Sequence, residues 1–445
     1  MKERLQEKER LLEIIGEQRL VGEVKITGAK NSACHLLVAS ILTNEECLIH
    51  NVPDIMDTEI SVNLLRGCGV KIKKLKKNSY SVKANSIKNN ELNCQTNIDS
   101  RVPAIFLGAL AARYKEAIIP QPGGDCIGRR PLDRHLAALE SLGYKVNFEE
   151  NLYSAKAHKL RGSNIFFKKN THMGTDNVLL AACLIPGITI IKNAAEEPEV
   201  DDMINFLNSM GAKIRRIDRR KIRIEGVKKL HGTEYRAIPD RNEAVTFGIA
   251  ALITGGDIFL RNAIPEHIAA FLDKALEIGG NYNVENSGIR IWSNRKLKAA
   301  NITTGCHPAF MTDWQPQFTT LLTQSRGVSV IIEKVHSDRF GFINELEKMG
   351  AKFHLFNPKI TNPEKFYDFD LEEEKQSYHA CEVFGPINLR GAEVNAYDIR
   401  AGAALVLAAL CAKGKTIISG LKHLDRGYEN FVEKLTNLKA IIKPA

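Results

Sequence analysis

A phrase that recurs six times is the feature that most constrains how this chain can fold. Each copy joins the end of a helix to a turn, in most copies a glycine turn, and then to an apolar strand start: LLRGCGVKI, LESLGYKV, LNSMGAKI, LEIGGNYNV, LEKMGAKF and the degenerate LTNLKAIIK. Successive copies lie about 70 residues apart, except for the last interval, which is near 90. A period of this length indicates one repeated supersecondary unit, so six units fill the chain.

Each unit has the same order of hydrophobic patterns. An apolar stretch with helical spacing, such as VPAIFLGALAARY, precedes a short β-branched run and a polar loop, such as AIIPQPGGD. An amphipathic stretch, such as RPLDRHLAALESLG, then leads into the repeated phrase. Helices that are apolar all round are buried, whereas amphipathic helices face solvent on one side. The sequence therefore predicts an α/β fold of repeated helix, strand, loop, helix, turn and strands.

Two segments fall outside the repeat. Residues 1–18 are rich in charge and predict a solvated amphipathic helix, with a partner-binding helix as the alternative. The extra length before the sixth copy maps to residues 356–386, which are polar, acidic and dotted with aromatic side chains. This composition predicts an inserted surface loop or hairpin.

The composition excludes several classes of protein. With 445 residues, of which 44% are hydrophobic, the chain can bury a sizeable core. Its length predicts two or three domains. No apolar window of about 18 residues occurs and the N-terminus is charged, so we expect a cytoplasmic protein with neither membrane insertion nor a secretory signal. The 9 cysteines occur singly with no C-x-x-C, which argues against a zinc site and a disulfide framework.

The residues that enter the six apolar helices are nearly all charged. The entrances read GAKNSA, IDSRVPA, MGTDNV, PDRNEAV, TDWQPQ and YDIRAGA, and four of them carry Lys30, Arg101, Arg241 or Arg400. A helix N-terminus exposes unpaired N–H groups and the positive end of the helix dipole, so a cation there is unfavourable unless an anion binds. The pattern predicts a clamp for a multiply charged, phosphorylated small molecule, with arginines on its phosphate or carboxylate groups.

The alternative is that Asp240, Asp313 and Asp398 are ordinary N-caps and that the arginines pair with them locally. No G-x-x-x-x-G-K-[ST], no G-x-G-x-x-G after a strand and no His/Cys metal cluster is apparent in the sequence. The net charge of +10 fits a basic surface with a small-anion site better than a nucleic-acid face, because acidic residues are interspersed among the lysines.

Seven motifs, taken in order, resemble the enolpyruvyl transferases, and among them the branch that acts on a nucleotide sugar rather than on a shikimate phosphate. They are GEVKITGAKNSA, PGGDCIGRRPLDRH, NAAEEPEVDD, IPDRNEAVTFG, HPAFMTDWQPQF, YDIRAGAALVLAA and HLDRGYENFVEKL. The resemblance runs from about Leu20 to the C-terminus. It implies two similar inside-out α/β barrel domains of three units each. The first would span residues 30–240, and the second would combine 19–29 with 241–445 and carry the inserted loop 356–386.

The resemblance also implies an activity. Enzymes of this branch transfer the enolpyruvyl group of phosphoenolpyruvate to the 3-hydroxyl of UDP-N-acetylglucosamine and release phosphate by addition and elimination, which is the first committed step of peptidoglycan synthesis. The chemistry needs an acid, a base and cations, and it needs neither a metal nor an organic cofactor. We expect no nucleic-acid partner and a monomer or weak homo-oligomer.

Residue roles follow from the matching motif positions. Asp313 matches the base that faces the acceptor hydroxyl, and Asp398 matches a second acid near the reacting atoms. Lys30 and Arg400, with Arg130, match the groups that bind phosphoenolpyruvate, and Arg426 joins them on closure. The expected contacts to the nucleotide sugar are Asn31, Arg101, Arg130, Pro131, Leu132, Asp133, Arg134, Lys169, Thr171, His172, Asp313 and Val335.

The chain departs from the family pattern beside the glycines of the PGGDCIGRR motif. Counting from Gly123 and Gly124, Asp125 stands where most members have the catalytic cysteine, and Cys126 stands where they have alanine. A carboxylic acid can donate a proton if burial raises its pKa, although nearby arginines act in the opposite direction. We therefore predict an aspartic general acid with an acidic arm to its pH profile, resistance to fosfomycin, and a bystander role for Cys126.

A second departure is NTHMGTD, where the family has a Ser-Val-Gly-Ala-Thr stretch against the diphosphate and uridine. Thr171, His172 and Met173 change that wall. An enolpyruvyl transferase for another nucleotide or phosphorylated acceptor is therefore an alternative. A non-catalytic polyanion-binding protein on the same scaffold is a further alternative, motivated by the positive charge.

Overall fold

The computed structural model describes residues 10–85, 89–92, 99–125, 127–294, 296–371 and 377–445. Its N-terminal part contains two strands, β1 (Leu12–Ile15) and β2 (Val21–Lys25). The prediction of a helix over residues 1–18 was wrong for Leu12–Ile15, which form β1. Residues 1–9 lie outside the described residues. Leu12 and Ile14 are buried because β1 lies between two strands from the C-terminal end of the chain, and this pairing overrides the local helical preference.

Three repeat units follow, and each places a buried helix before a strand, an amphipathic helix and a hairpin, as the repeat predicts. The helices are α1 (Lys30–Ala39), which runs into a 3₁₀ turn (Ser40–Leu42), α2 (Met56–Gly67), α3 (Pro103–Tyr114), α4 (Asp133–Ser141), α5 (His172–Ala182) and α6 (Pro198–Ser209). The strands are β3 (Glu46–His50), β4 (Lys71–Lys76), β5 (Ser79–Lys83), β6 (Glu116–Pro120), β7 (Tyr144–Glu149), β8 (Leu152–Ala157), β9 (Asn164–Phe166), β10 (Ile188–Lys192), β11 (Lys213–Asp218), β12 (Lys221–Glu225) and β13 (Glu234–Arg236).

The remaining three units have the same plan. Their helices are α7 (Arg241–Thr254), α8 (Ala269–Glu277), α9 (Gln315–Leu322), α10 (Ile343–Lys348), α11 (Pro363–Phe366), α12 (Ile399–Cys411), α13 (Lys422–Asp425) and α14 (Phe431–Asn437), with 3₁₀ turns at Pro265–Ile268 and Thr312–Trp314. Their strands are β14 (Asp257–Arg261), β15 (Asn281–Glu285), β16 (Gly288–Trp292), β17 (Ile302–Gly305), β18 (Phe310–Met311), β19 (Gly327–Ile332), β20 (Lys352–Phe356), β21 (Ala380–Gly385), β22 (Glu393–Asn395), β23 (Lys415–Ser419) and β24 (Ile441–Pro444).

Each unit forms one small sheet. The sheet orders are β13-β3-β5-β4, β6-β8-β7, β9-β10-β12-β11, β2-β14-β16-β15, β18-β17-β19-β21-β20 and β22-β23-β1-β24. In the sixth unit β1 lies between β23 and β24, where the other units have a strand of their hairpin, so the N-terminal part of the chain completes the last repeat. The sixth unit, which contains the degenerate copy of the phrase, therefore forms a complete sheet from C-terminal strands and one N-terminal strand.

The apolar side chains form two separate hydrophobic cores. One draws on residues 33–237 around α1, α3 and α5, and the other on residues 12–26 and 244–440 around α7, α9 and α12. In both, the three apolar helices pack against one another inside, and the sheets lie outside. The α/β repeat fold is confirmed in this arrangement, and the two cores support the expected division near residue 240, which stays a prediction. No helix among the described residues is long and apolar enough to cross a bilayer.

The chain passes between the two cores at two places that pair with each other. Gly28 forms an antiparallel bridge with Pro239, the Ala29 amide donates to Ile238, and the Asp240 amide donates to Thr27, both at 2.8 Å. Gly28 is required here because a Cβ atom would lie 1.5 Å from the carbonyl oxygen of Asn51. The two crossings therefore form one short ribbon.

The insertion at 356–386 supplies the connection and the second strand of a hairpin, since β20 and β21 pair antiparallel. It is more than a surface loop, because Tyr367 and Phe369 in the connection between these strands are buried. This connection reaches the cavity described below.

Candidate active site

All six central helices begin at one cavity of about 750 Å³ between the two cores. The apolar repeat places equivalent helix entrances at equivalent positions, so their N–H groups and their charged residues converge. The first core contributes Lys30, Arg101 and Thr171, and the second contributes Arg241, Asp313 and Arg400. Positive helix ends and cations directed at one space favour a multiply charged anion.

Two of the three entrance aspartates are N-caps, as the alternative interpretation proposed. Asp240 Oδ1 accepts from the amides of residues 242 and 243, and Asp398 Oδ1 accepts from those of residues 400 and 401. Asp398 does not line the cavity, so the structure gives no support to its expected place beside the reacting atoms. It instead fixes the start of α12, which carries Arg400.

Asp125 lies at the cavity among cations. The guanidinium of Arg426, from the opposite core, donates to Asp125 Oδ1 at 2.8 Å, and Arg130 donates to its carbonyl oxygen at 2.8 Å. Burial raises the pKa of Asp125, but Arg426, Lys30, Arg339 and Arg130 together outweigh burial and hold the pKa below its ordinary value. The free carboxyl group is therefore ionised at neutral pH. Cys126 lies outside the described residues.

Of Asp240, Asp313 and Asp398, only Asp313 does not cap its helix. Its Oδ2 accepts from Arg400 at 3.0 Å, and its Oδ1 lies 3.5 Å from Arg339. Burial raises the pKa of Asp313, but Arg400, Arg339 and His336 outweigh it and hold the pKa well below its ordinary range. Asp125 from the first core and Asp313 from the second are thus both ionised at the cavity.

Arg339 and His336 were missed by sequence reasoning and both line the cavity. The three guanidinium nitrogens of Arg339 are buried and make no hydrogen bond to the described residues, although Asp313 lies nearby. Burial and the adjacent arginines 339 and 130 lower the pKa of His336 to about 3, so its ring is neutral at pH 7. A buried guanidinium without hydrogen bonds facing a cavity is suited to bind an anion that enters it.

The remaining cations differ in how they are held. Lys30 Nζ pairs with Asp57 at 2.8 Å, and Arg426 shares the same carboxylate at 3.4 Å. Arg101 has no ion pair within the described part of the chain. Burial, with the charge of Arg130, lowers the pKa of Arg101 to about 10, which leaves it charged at neutral pH. These groups can engage a ligand anion by exchanging or gaining a partner.

The predicted nucleotide-sugar contacts also gather at the cavity, with one exception. Leu132 is fully buried in the first core and does not line the cavity. Arg134 and Lys169 are tied by hydrogen bonds to the insertion of the second core. The predicted contacts that line the cavity are Asn31, Arg101, Arg130, Pro131, Asp133, Arg134, Lys169, Thr171, His172, Asp313 and Val335.

The NTHMGTD departure creates a polar cluster that the sequence did not reveal. Asp176 Oδ2 lies 2.8 Å from His35 Nδ1 and 3.5 Å from His172 Nε2, and both histidines line the cavity. These three side chains are the only group within the described residues with ligand atoms close enough to hold a metal ion. The contact of His35 with Asp176 also has hydrogen-bond geometry, so the cluster does not by itself indicate a metal ion. The expectation that no metal is needed stays a prediction.

A buried ion pair joins the two cores behind the cavity. The Nε of Arg241, at the start of α7, donates to Glu199 Oε1 in α6 at 2.9 Å, and its Nη2 lies 2.9 Å from Glu199 Oε2; both side chains are almost fully buried. Burial raises the pKa of Glu199, but Arg241 and His172 outweigh it and lower the pKa overall. The local pairing of Arg241 with Asp240 that the alternative interpretation proposed is wrong, because its guanidinium reaches across to the other core.

Comparisons with known proteins find relatives over nearly the whole chain. Residues 14–435 match the family described as EPSP synthase (3-phosphoshikimate 1-carboxyvinyltransferase). A UDP-N-acetylglucosamine 1-carboxyvinyltransferase from Gloeobacter violaceus is 40% identical over 97% of this chain and 90% of its own. Another with the same name, from Pseudoalteromonas atlantica, is 39% identical over 95% of this chain and 97% of its own.

Solved structures share the fold. The enolpyruvyl transferase NikO from Streptomyces tendae matches 98% of this chain and 99% of its own, with a TM-score of 0.83 and 24% identity. The EPSP synthase from Acinetobacter baumannii matches 98% of this chain and 100% of its own, with a TM-score of 0.72 and 18% identity. Both are similar in architecture across the whole chain.

Proposed function

Because the chain belongs to the EPSP synthase family, we infer that it transfers the enolpyruvyl group of phosphoenolpyruvate to the 3-hydroxyl of UDP-N-acetylglucosamine and releases phosphate. The observation that carries this function is the pair of ionised carboxylates, Asp125 and Asp313, that the two cores present to one cation-lined cavity. An addition and elimination reaction on an anionic substrate needs a proton donor, a proton acceptor and fixed positive charge, and the site holds candidates for all three.

The cations of the cavity would bind phosphoenolpyruvate. Lys30, Arg130, Arg400 and Arg426 are those that the family pattern assigns to its phosphate and carboxylate, and Arg339 adds a buried guanidinium at the same place. A bidentate contact of a guanidinium with phosphate or carboxylate fixes orientation as well as charge.

The ion pairs of the free enzyme suggest how the two carboxylates become reactive. Arg426 holds Asp125 and Arg400 holds Asp313, and each pair lowers the pKa of the carboxyl group. When the substrate anion binds these arginines, its negative charge offsets theirs and the pKa of both carboxyl groups rises. Asp125 can then carry a proton to the methylene carbon, and Asp313 can accept one from the acceptor hydroxyl.

Two alternatives differ in what they predict for the acceptor. A transferase for another nucleotide or phosphorylated acceptor is favoured by the altered wall at Thr171 and His172. A non-catalytic polyanion binder has no use for the Asp313 carboxylate directed into an anion site. The expected cytoplasmic location and the roles in cell-wall synthesis, cell shape and cell division follow from the proposed activity.

The experiment is a phosphate-release assay with phosphoenolpyruvate and a panel of acceptors. We expect turnover with UDP-N-acetylglucosamine, and loss of turnover in Asp313→Asn. Turnover with a different nucleotide or phosphorylated sugar, and none with UDP-N-acetylglucosamine, would support the other transferase. Absence of turnover with every acceptor, together with retention on nucleic acid that weakens steeply with salt, would support the polyanion binder.

A further inference from the structure

One hairpin differs from its repeat equivalents in the length of its connection. Four hairpins, β4–β5, β7–β8, β11–β12 and β15–β16, are joined by two residues each. The equivalent strands β20 and β21 are joined by residues 357–379, of which 357–371 and 377–379 are described. A connection this long between strands that need only a two-residue turn indicates a function beyond closing the hairpin.

Aromatic side chains anchor this connection. The rings of Tyr367 and Phe369 lie 4.8 Å apart, and both lie against His379, at 5.2 and 4.8 Å between centroids. All three are at most 8% exposed. Because Tyr367 and Phe369 are buried in alternation with more exposed neighbours, Asp368 and Asp370 are directed away from this cluster. The anchored segment therefore holds Asp368 in a defined position.

Main-chain hydrogen bonds then tie the segment to both sides of the cavity. The Asp368 amide donates to the carbonyl of Lys334 at 2.7 Å, beside the predicted contact Val335. From the first core, Arg134 donates to the Asp368 carbonyl at 2.9 Å, and Lys169 Nζ donates to the Phe369 carbonyl at 2.6 Å. The insertion thus crosses the cavity wall beside the two cations expected to bind the nucleotide.

The carboxylate of Asp368 has no such partner. It lines the cavity, and its one hydrogen-bond contact with the described residues is the Cys306 thiol, 3.9 Å from Oδ2. Cations outnumber carboxylates along the cavity, but a carboxylate without an ion pair repels phosphate. A carboxylate is acceptor-only, so it matches ligand groups that donate hydrogen bonds. The phosphates of a nucleotide sugar offer none, whereas the ribose hydroxyls and the imide N–H of the uracil ring do.

We propose that Asp368 is a specificity-determining residue that accepts hydrogen bonds from the nucleoside part of the acceptor. The proposal rests on the proposed function for the identity of that acceptor. The insertion delivers this carboxylate to the wall that the departure at Thr171 and His172 has altered, and Arg134 and Lys169 hold it there.

The test is the Asp368→Asn variant, which keeps the side-chain size and every main-chain contact. Loss of a hydrogen bond to a charged acceptor weakens binding by about 10- to 100-fold. We expect KM for UDP-N-acetylglucosamine to rise by that factor, while kcat at saturation and KM for phosphoenolpyruvate stay within about twofold. Glu364→Gln, exposed on the same insertion, is the matched control and leaves all three constants unchanged.

Calorimetric binding of UMP separates this proposal from the proposed function, because it needs no turnover. We expect the wild type to bind UMP and Asp368→Asn to bind it about 10- to 100-fold more weakly. Weaker binding of 2′-deoxy-UMP by the wild type assigns the contact to ribose, and weaker binding of 3-methyl-UMP assigns it to the base. Equal affinity of wild type and variant for UMP, absence of UMP binding, or a parallel loss of both KM values and kcat would overturn the proposal.

Discussion

Replacing Asp125 by asparagine removes the ionisable proton of this side chain and keeps its size and shape. The amide oxygen can still accept from Arg426, which donates to Asp125 at 2.8 Å and also lies 3.4 Å from Asp57. The variant exchanges an ion-paired hydrogen bond for one between a charged donor and a neutral acceptor, a difference of about 1 kcal/mol in the free energy of unfolding. A general acid contributes about 10²- to 10⁴-fold in rate, or about 3–5 kcal/mol of activation free energy. We expect kcat to fall by at least about 100-fold while stability barely changes.

The assay is phosphate release at saturating substrates, with urea unfolding as the check on stability. KM for phosphoenolpyruvate should stay the same or fall, because the ionised Asp125 competes with the substrate anion for Arg426. Cys126→Ala is the control and should keep the wild-type kcat. If Asp125→Asn retains more than about a tenth of the wild-type kcat, another group is the general acid and the role proposed for the Asp125 carboxyl group is wrong.

Three further predictions use the same site. Fosfomycin should neither inactivate the enzyme nor add covalently to residues 121–135 in mass spectrometry with the nucleotide sugar present, because a carboxylate is a much weaker nucleophile than a thiolate; an adduct with loss of activity would contradict this. Glu199→Gln leaves Arg241 charged and buried, so it should cost about 3–5 kcal/mol in urea unfolding, whereas Glu23→Gln, from an exposed pair with Arg261, should cost at most about 1 kcal/mol; equal losses would refute the difference in burial. Because the folded pKa of Asp313 lies below its ordinary value of 3.8, its contribution to stability is present above about pH 4 and is lost as the pH falls through the folded value. The stability difference between the wild type and Asp313→Asn should therefore shrink from pH 5 to pH 3, and a constant difference would refute that assignment.

Much of the architecture could be predicted from the repeat, because each unit carries its own periodicity and its own turn. The entrances of the apolar helices were found in the same way, and all six line one cavity, since equivalent positions of a repeat have equivalent orientations. Asp125 and Asp313 came from the resemblance of their motifs. Their charge state needed the structure, because it depends on arginines from distant segments of the chain.

The misses share a cause, which is that their partners are remote in sequence. The charged N-terminus has the pattern of a helix, but β1 pairs with strands at residues 415–444. Arg339 does not enter a central helix, so the entrance argument could not find it. A signal existed nonetheless, because SVIIEKVHSDR holds Arg339 in the repeat position where TIISGLKHLDR holds Arg426.

The position of β1 has a consequence for the order in which this protein can assemble as it is synthesised. The residues of the first core leave the ribosome as one continuous block, and N-terminal units can fold during synthesis. The second core contains β1, whose two neighbours are β23 and β24, so its last sheet waits until nearly the whole chain has emerged. Until then, the strands of that sheet keep unpaired edges, and such edges are prone to pair with other chains. Because residues of both cores line the cavity, the anion site is complete only when the second core has joined the first.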